Sequence, residues 1–210
     1  MPKARFTSTD NRQMEIEYDT FGNPADQPLL LIMGFTAQMV AWEEEFCLQL
    51  AERGHFVIRF DNRDCGLSTK LHGVPSNSDA VVMAAMMETE MPQVAYTLSD
   101  MAADAASLLD HLNIERAHVM GASMGGMIAQ IVAADYPQRT QSLISIMSTT
   151  GAPHLPPPSS DSSSSLMELA SNDNDENSSL ATEMRKRGFY PEAVPRQLMA
   201  IIKTGDRTER

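Results

Sequence analysis

The stretch Val119-Met120-Gly121-Ala122-Ser123-Met124-Gly125-Gly126-Met127 determines how the rest of the chain is interpreted. It contains the pattern Gly-x-Ser-x-Gly between a short apolar run and a run with helical spacing. Such a turn raises a serine hydroxyl from the end of a strand and places it at the start of a helix. Gly121 and Gly125 are needed because strand and helix pass close together there, and a Cβ would collide. The pattern therefore predicts Ser123 as a nucleophile on a strained turn.

Two other structures share parts of this pattern. An ordinary strand-to-helix turn would use Ser123 only as a small capping residue, and the motif alone leaves that alternative open. A dinucleotide-binding loop, Gly-x-Gly-x-x-Gly, does not fit, because Ser123 occupies the position of the second glycine, which lets a pyrophosphate approach. The amides at a helix N-terminus would stabilise an oxyanion formed at Ser123, which agrees with the nucleophile.

Composition and charge exclude several classes of function. Of the 210 residues, 42% are hydrophobic and 21% are charged, values typical of a globular protein with one domain or slightly more. The formal net charge of −12 repels phosphate groups, so we expect neither nucleic acid nor a membrane as a partner. The short basic run at residues 185–187 is interpreted as a solvated helix end.

Targeting and cysteine signals are weak. The N-terminal residues have no apolar h-region, and no apolar run approaches the ~20 residues of a membrane-spanning helix. Two cysteines, Cys47 and Cys65, are too few for a disulfide framework, and a metal site would need further ligands. We therefore expect a cytoplasmic protein without a metal, in which Cys47 is a small buried hydrophobe.

Apolar periodicity predicts alternating strands and helices. Strands are expected at residues 4–9, 14–18, 28–33, 55–60, 117–120 and 142–147, and helices at 41–53, 81–91, 99–112 and 124–136. The third helix is expected to be capped by Ser99. Continuous apolar runs are typical of strands buried on both faces, so the fold class is α/β, a mostly parallel sheet with helices on both faces. Its site is expected at the carboxyl ends of the strands.

The composition changes after residue 150. Prolines at 156–158 and serines at 162–165 interrupt the pattern, and residues 171–177 are polar and acidic. Short helices are expected at 180–187 and 193–202. We therefore divide the chain into a core at residues 1–150 and a Pro/Ser-rich linker with a partial helical cap at residues 151–210.

Four ordered motifs resemble the first two-thirds of an α/β-hydrolase. They are Leu31-Ile32-Met33-Gly34-Phe35, Trp42, Arg59-Phe60-Asp61-Asn62-Arg63-Asp64-Cys65-Gly66-Leu67-Ser68 and Gly121-Ala122-Ser123-Met124-Gly125-Gly126. Within that family they are most similar to the branch that contains the aclacinomycin methylesterase and similar small-ester hydrolases. The resemblance covers residues 13–150 well and the cap weakly.

The resemblance implies a role for each matching position. Ser123 would be the nucleophile, and the backbone N–H groups of Phe35 and Met124 would form the oxyanion hole. It implies a serine hydrolase that acts on a small, largely apolar carboxylic ester through an acyl-enzyme, without a cofactor. Pocket lining is expected from Met33, Gly34 and Trp42. Met33 stands where the family often has a histidine, but the expected donor is a backbone group.

A serine nucleophile needs a base, and the base needs an acid that orients it. In this family the acid and then the histidine follow the serine. After Ser123 the chain has one histidine, His154, which precedes the candidate acids Asp161, Asp173, Asp175 and Asp206. We interpret His154 as a loop histidine, and expect the acid and base to be absent and the chain to be truncated relative to a complete member.

The missing relay leaves alternatives for the function. The chain is either a serine esterase, a catalytically inactive remnant or binding module that keeps the turn, or an incomplete gene model. A truncated sheet would leave the strand at residues 142–147 as an unpaired edge, which favours self-association.

Other polar and apolar groups have structural explanations. The turn at residues 61–64 is interpreted as a loop held by Arg–carboxylate and Asp–backbone hydrogen bonds, with a pocket wall as the alternative. Met83, Met86 and Met87 have helical spacing, which favours core packing over the lining of an apolar pocket. His118, on the strand before the turn, is expected in the core.

Overall fold

The computed structural model describes residues 1–87, 89–156 and 186–209. The strands in these ranges are β1 (Lys3–Thr7), β2 (Gln13–Phe21), β3 (Gln27–Ile32), β4 (His55–Phe60), β5 (Ala117–Ala122) and β6 (Thr140–Ile146). The α-helices are α1 (Glu44–Ala51), α2 (Ser78–Met86), α3 (Leu98–His111), α4 (Met124–Asp135) and α5 (Ala193–Thr204). None of the helices in these ranges is long and apolar enough to cross a membrane.

The described strands form one mixed sheet in the order β1-β2-β4-β3-β5-β6. β3 is parallel to β4 and β5, and β5 is parallel to β6, whereas β2 is antiparallel to β1 and β4. This confirms the predicted mostly parallel α/β sheet. The chain leaves β3 for β4 on one side and returns to β5 on the other. The strand order therefore reverses between the carboxyl ends of β3 and β5, the position where such sheets bind ligands.

Helices cover both faces of the sheet, as predicted. Successive side chains of a strand point to opposite faces. Leu30 and Ile32 of β3 therefore pack in the larger core cluster with α3 and α4, whereas Leu29 and Leu31 pack in a smaller cluster with Cys47 of α1. The double-sided burial explains why this strand is a continuous apolar run in the sequence.

The N-terminus of α3 differs from the prediction. Its capping residue is Thr97, not Ser99. The Thr97 side chain accepts a hydrogen bond from the Asp100 N–H, and the Asp100 carboxylate accepts one from the Thr97 N–H at 2.7 Å. Such a capping box satisfies two backbone donors that a helix end leaves free. Thr97 rather than Ser99 is the cap because Asp100, three residues after Thr97, completes the capping box.

Two other helices are shorter than predicted. α1 begins at Glu44 rather than at residue 41, because residues 39–41 form a separate 3₁₀ turn. α2 ends at Met86 and buries only Val81 and Ala84. The prediction of core packing for the methionines of this region is wrong, since the exposed fraction of the residue surface is 55%, 77% and 64% at Met83, Met86 and Met87, respectively.

The charged turn after β4 is a hydrogen-bonded loop, as predicted. Arg63 is completely buried and donates to both carboxylate oxygens of Asp104, at 2.6 and 2.8 Å. Asp61 is also completely buried and accepts from the N–H groups of Met39 (2.8 Å) and Leu67 (2.9 Å). Each carboxylate thus accepts hydrogen bonds from a guanidinium or from backbone N–H groups, which offsets the cost of burying its charge.

The C-terminal described segment is anchored to the same turn. Arg187 donates to Asp61 at 2.6 Å, and Arg196 of α5 donates to Asp64 at 2.6 Å. Interpreting the basic run as a solvated helix end is therefore wrong for Arg187. The helix expected at residues 180–187 lies mostly outside the described residues, as do the Ser-rich and acidic runs. Most of the 156–158 proline run also lies outside them.

Candidate functional site

Ser123 lies on a tight turn between β5 and α4. Its backbone has φ 56° and ψ −123°, a conformation that non-glycine residues rarely adopt. The Ser123 N–H donates to the carbonyl of Ile146 at 2.9 Å, and its carbonyl accepts from the Gly126 N–H at 2.9 Å. These two bonds hold the strained residue from both sides, and the side chain is half-buried.

The glycines on either side of Ser123 allow β3, β5 and α4 to approach closely. A Cβ at Gly121 would lie 2.0 Å from the carbonyl oxygen of Gly125, and a Cβ at Gly125 would lie 2.1 Å from the carbonyl oxygen of Ile32. Both contacts are far shorter than van der Waals distance and involve backbone atoms, which cannot rotate away. Any side chain at either position would therefore separate the turn from its neighbours.

The loop after β3 lies directly against Ser123. A Cβ at Gly34 would be 3.0 Å from Ser123 Cβ, 3.4 Å from Ser123 Oγ and 2.9 Å from the Ala122 carbonyl oxygen. Gly34 follows β3 and Ser123 follows β5, so this contact lies where the strand order of the sheet reverses. The topology thus brings together two motifs that are far apart in the sequence.

The two N–H groups expected to form the oxyanion hole belong to Phe35 and Met124. Met124 is the first residue of α4, and the first N–H groups of a helix have no partner within the helix. Within the described part of the chain, neither N–H donates a hydrogen bond to protein. Both side chains are buried in the larger core cluster, which fixes the backbone that carries the donors.

The residues expected to line a pocket are in different surroundings. Gly34 is buried against Ser123, and Met33 is half-buried. Trp42 packs in the smaller core cluster and stacks on Phe46, with ring centroids 5.7 Å apart. A cavity of about 10 Å³ lies between the loop after β3 and α5, and its lining includes Thr36, Gln38, Asp64, Cys65, Tyr190 and Gln197.

Of the residues considered for a relay, the structure describes His154 and Asp206, and neither hydrogen-bonds to Ser123. His154 and Asp206 are exposed, and the other three candidate acids lie outside the described residues. No histidine or carboxylate in residues 1–87, 89–156 and 186–209 hydrogen-bonds to Ser123. The expectation that His118 lies in the core is wrong: it is only half-buried at the start of β5, with Nδ1 2.7 Å from Ser142 Oγ.

The two thiols are poor nucleophiles. Burial raises the pKa of Cys47 to about 11, and burial raises the pKa of Cys65 further above its ordinary value. Both cysteines are free, and the prediction of a buried Cys47 is confirmed. The described ranges contain no group of three or more side chains arranged to hold a metal ion.

Two side chains that were not predicted as site residues hold the loop after β3. The amide of Asn62 donates to the Met33 carbonyl at 2.9 Å, and the Gln197 side-chain oxygen accepts from the Thr36 N–H at 2.9 Å. Asn62 belongs to the motif at residues 59–68, but the sequence does not indicate that its partner is the Met33 carbonyl. Gln197 has no local signal, because its partner is 161 residues away.

Comparison with known proteins identifies the family. The model of the alpha/beta hydrolase fold family matches residues 27–187. The chain belongs to the α/β-hydrolase fold family. The resemblance to this family, which was based on the four motifs, is therefore confirmed, and the matched segment contains all four.

Two relatives of this α/β-hydrolase are methylesterases. It is 35% identical over 143 residues to rhodomycin D methylesterase DnrP of Streptomyces peucetius, a match that covers 68% of this chain and 41% of the relative. It is 37% identical over 122 residues to DauP, the rhodomycin D methylesterase of Streptomyces sp. strain C5, covering 58% and 35%. The chain thus matches less than half the length of either relative.

A solved structure agrees with the fold. A thermophilic esterase from Thermogutta terrifontis superimposes with a TM-score of 0.66 at 21% identity, covering 100% of this chain and 75% of that chain. At this identity the match concerns the arrangement of strands and helices alone.

Proposed function

We propose that this α/β-hydrolase is a serine hydrolase for small, largely apolar carboxylic esters, of the carboxylesterase or methylesterase type. One observation carries the proposal: Ser123, on a strained turn, lies against Gly34 where the strand order reverses. The two methylesterase relatives support a carboxylic ester as the substrate class. The partner is therefore a small-molecule ester.

The proposed chemistry has two displacement steps. Ser123 Oγ attacks the ester carbonyl carbon, and the electron pair of the C=O bond moves to the oxygen. The N–H groups of Phe35 and Met124 donate to that oxyanion, and each such donor contributes about 2.7–4 kcal/mol in the transition state of known hydrolases. The tetrahedral species collapses as its C–O bond to the alcohol breaks, the proton of the Ser123 hydroxyl leaves with the alcohol, and an acyl-enzyme remains. Water then attacks the acyl carbon, the bond from that carbon to Ser123 Oγ breaks, one water proton returns to Oγ, and the carboxylic acid is released.

A second candidate is an ester-binding module that keeps the turn without turnover. It is favoured by the absence, from the described residues, of a histidine or carboxylate bonded to Ser123, since an unassisted hydroxyl is a weak nucleophile. In both candidates we propose that residues 151–210 form a linker and partial cap. α5 packs against α2 and α3, and its Gln197 reaches the loop after β3.

Hydrolysis of p-nitrophenyl butyrate separates the two candidates. The chain is compared with Ser123→Ala and with Ser148→Ala, a matched loss of a hydroxyl near the start of α4. We expect a rate at least about 100-fold above that of Ser123→Ala, because that variant loses the nucleophile, and a rate within about twofold of that of Ser148→Ala. Equal rates for the chain and Ser123→Ala would refute the hydrolase, and saturable ester binding by both would then support the binding module.

A further inference from the structure

Thr36, the residue after the proposed oxyanion donor Phe35, has a costly backbone conformation. Its φ is 59°, in the left-handed region, which is unfavourable for a β-branched residue. Such a conformation is unfavourable and persists only where the surrounding structure holds it. The loop after β3 therefore depends on contacts outside itself.

A buried side chain of α5 supplies one of these contacts. Gln197 is 1% exposed, and its Oε1 accepts from the Thr36 N–H at 2.9 Å. On the other side, Asn62 donates to the Met33 carbonyl at 2.9 Å. Two buried amide side chains thus hold residues 33–36 from opposite ends. Removing either side chain would leave a backbone group of the loop without its hydrogen-bond partner, which destabilises the loop conformation.

Gln197 itself is held in place by its helix. The neighbouring Arg196 is buried and bonds to both carboxylate oxygens of Asp64, at 2.6 and 3.2 Å. Further along α5, Lys203 donates to the Met91 carbonyl at 2.7 Å. The two bonds of Arg196 fix the start of α5 on the core, so the position of the Gln197 oxygen is set by the fold rather than by the loop that it contacts.

We propose that Gln197 is a positioning residue that sets the direction of the Phe35 N–H through its bond to Thr36. The Phe35–Thr36 peptide is fixed by this bond, and the Gly34–Phe35 peptide that carries the donor precedes it directly. A donor misplaced by about 1 Å can cost up to 10²-fold in rate. The proposal rests on the serine hydrolase function proposed above, and it makes Gln197 part of the structure that orients the oxyanion donor.

Amide hydrogen exchange tests the positioning independently of activity. Gln197→Met keeps the side-chain length but removes the acceptor, Gln197→Glu restores an acceptor, and Lys203→Met removes a different bond between α5 and the core. We expect exchange at the Thr36 N–H to be at least about tenfold faster in Gln197→Met, and close to the parent rate in Gln197→Glu and Lys203→Met. An unchanged Thr36 rate in Gln197→Met would overturn the proposal.

Kinetics test the consequence for the site. With p-nitrophenyl butyrate we expect kcat to fall about tenfold in Gln197→Met with KM unchanged, to recover in Gln197→Glu, and to stay within about twofold in Lys203→Met. An equal loss in Lys203→Met would show a general effect of loosening α5 and would overturn the proposal. If the parent chain is no faster than Ser123→Ala, the hydrolase function fails, whereas the Thr36 exchange rates still decide whether Gln197 positions the loop.

Discussion

Replacing Gly125 by alanine tests whether the close approach of β3 and α4 holds the turn. The added Cβ would lie 2.1 Å from the carbonyl oxygen of Ile32 and 2.7 Å from that of Met33. Neither oxygen can rotate away, because both belong to the backbone at the end of β3. The helix or the strand must therefore shift by about 1 Å, and Gly34 next to Ser123 would shift with it.

The magnitude follows from two opposing effects. Overpacking of this kind costs about 3 kcal/mol, whereas replacing glycine by alanine in a helix contributes up to about 1 kcal/mol of stability. We expect a net loss of about 2 kcal/mol in the free energy of unfolding, which lowers the Tm by about 4–8 °C for a chain of this size. We also expect the reaction of Ser123 with a fluorophosphonate to slow at least about tenfold, because the donors no longer face the phosphoryl oxygen of a probe that reacts with the hydroxyl.

Urea unfolding and the labelling rate provide the assay, with Gly54→Ala as the control. A Cβ at Gly54 would meet nothing within 4 Å, although its φ is 86°. That variant should lose about 1 kcal/mol from backbone strain alone and keep the labelling rate. The reasoning is refuted if Gly125→Ala unfolds within about 0.5 kcal/mol of the parent and reacts equally fast.

Other parts of the structure make further predictions. Arg63→Met leaves the buried Asp104 carboxylate unpaired and should lower the free energy of unfolding in urea by about 3–5 kcal/mol. Most of this loss should be recovered in Arg63→Met/Asp104→Leu, and a double variant as unstable as the single one would contradict the prediction. Burial raises the pKa of Cys47 to about 11 and that of Cys65 further, so both thiols should react slowly with a disulfide reagent at neutral pH and faster as the pH rises towards 11. Rapid reaction of the folded chain at neutral pH would disprove this prediction. β6 is an edge strand of the described sheet, and Ile144 is 40% exposed, so we expect self-association in light scattering that Ile144→Lys reduces; a stable monomer at high concentration would rule this out.

Features set by neighbouring residues could be predicted from the sequence. The positions of β5 and α4 follow from a continuous apolar run, a small-residue turn and helical spacing, although β5 extends to Ala122, two residues beyond its predicted end. The contact between Gly34 and Ser123 follows from topology, because the carboxyl ends of neighbouring parallel strands meet at one edge. The α3 cap was missed although Thr97 and Asp100 have the spacing of a capping box, a signal that was present locally.

Features set by distant pairs could not be predicted. Arg196 and Asp64 are 132 residues apart, and periodicity says nothing about which buried charges will meet. The same applies to Thr36 and Gln197. The exposure of Met83 could not be predicted either, because the spacing within one helix does not reveal which of its faces another element covers. The apolar pattern therefore predicts the layers of the fold, whereas the long-range hydrogen bonds that support the site can be identified only from the structure.

The most direct test of the central claim is to identify the residue that a fluorophosphonate probe modifies in the 210-residue chain, by peptide mass spectrometry. If the turn presents an activated hydroxyl, the probe attaches to Ser123, labelling is lost in Ser123→Ala, and Ser148→Ala is labelled like the parent. An unmodified Ser123 after prolonged incubation, or labelling that Ser123→Ala does not change, would contradict the account.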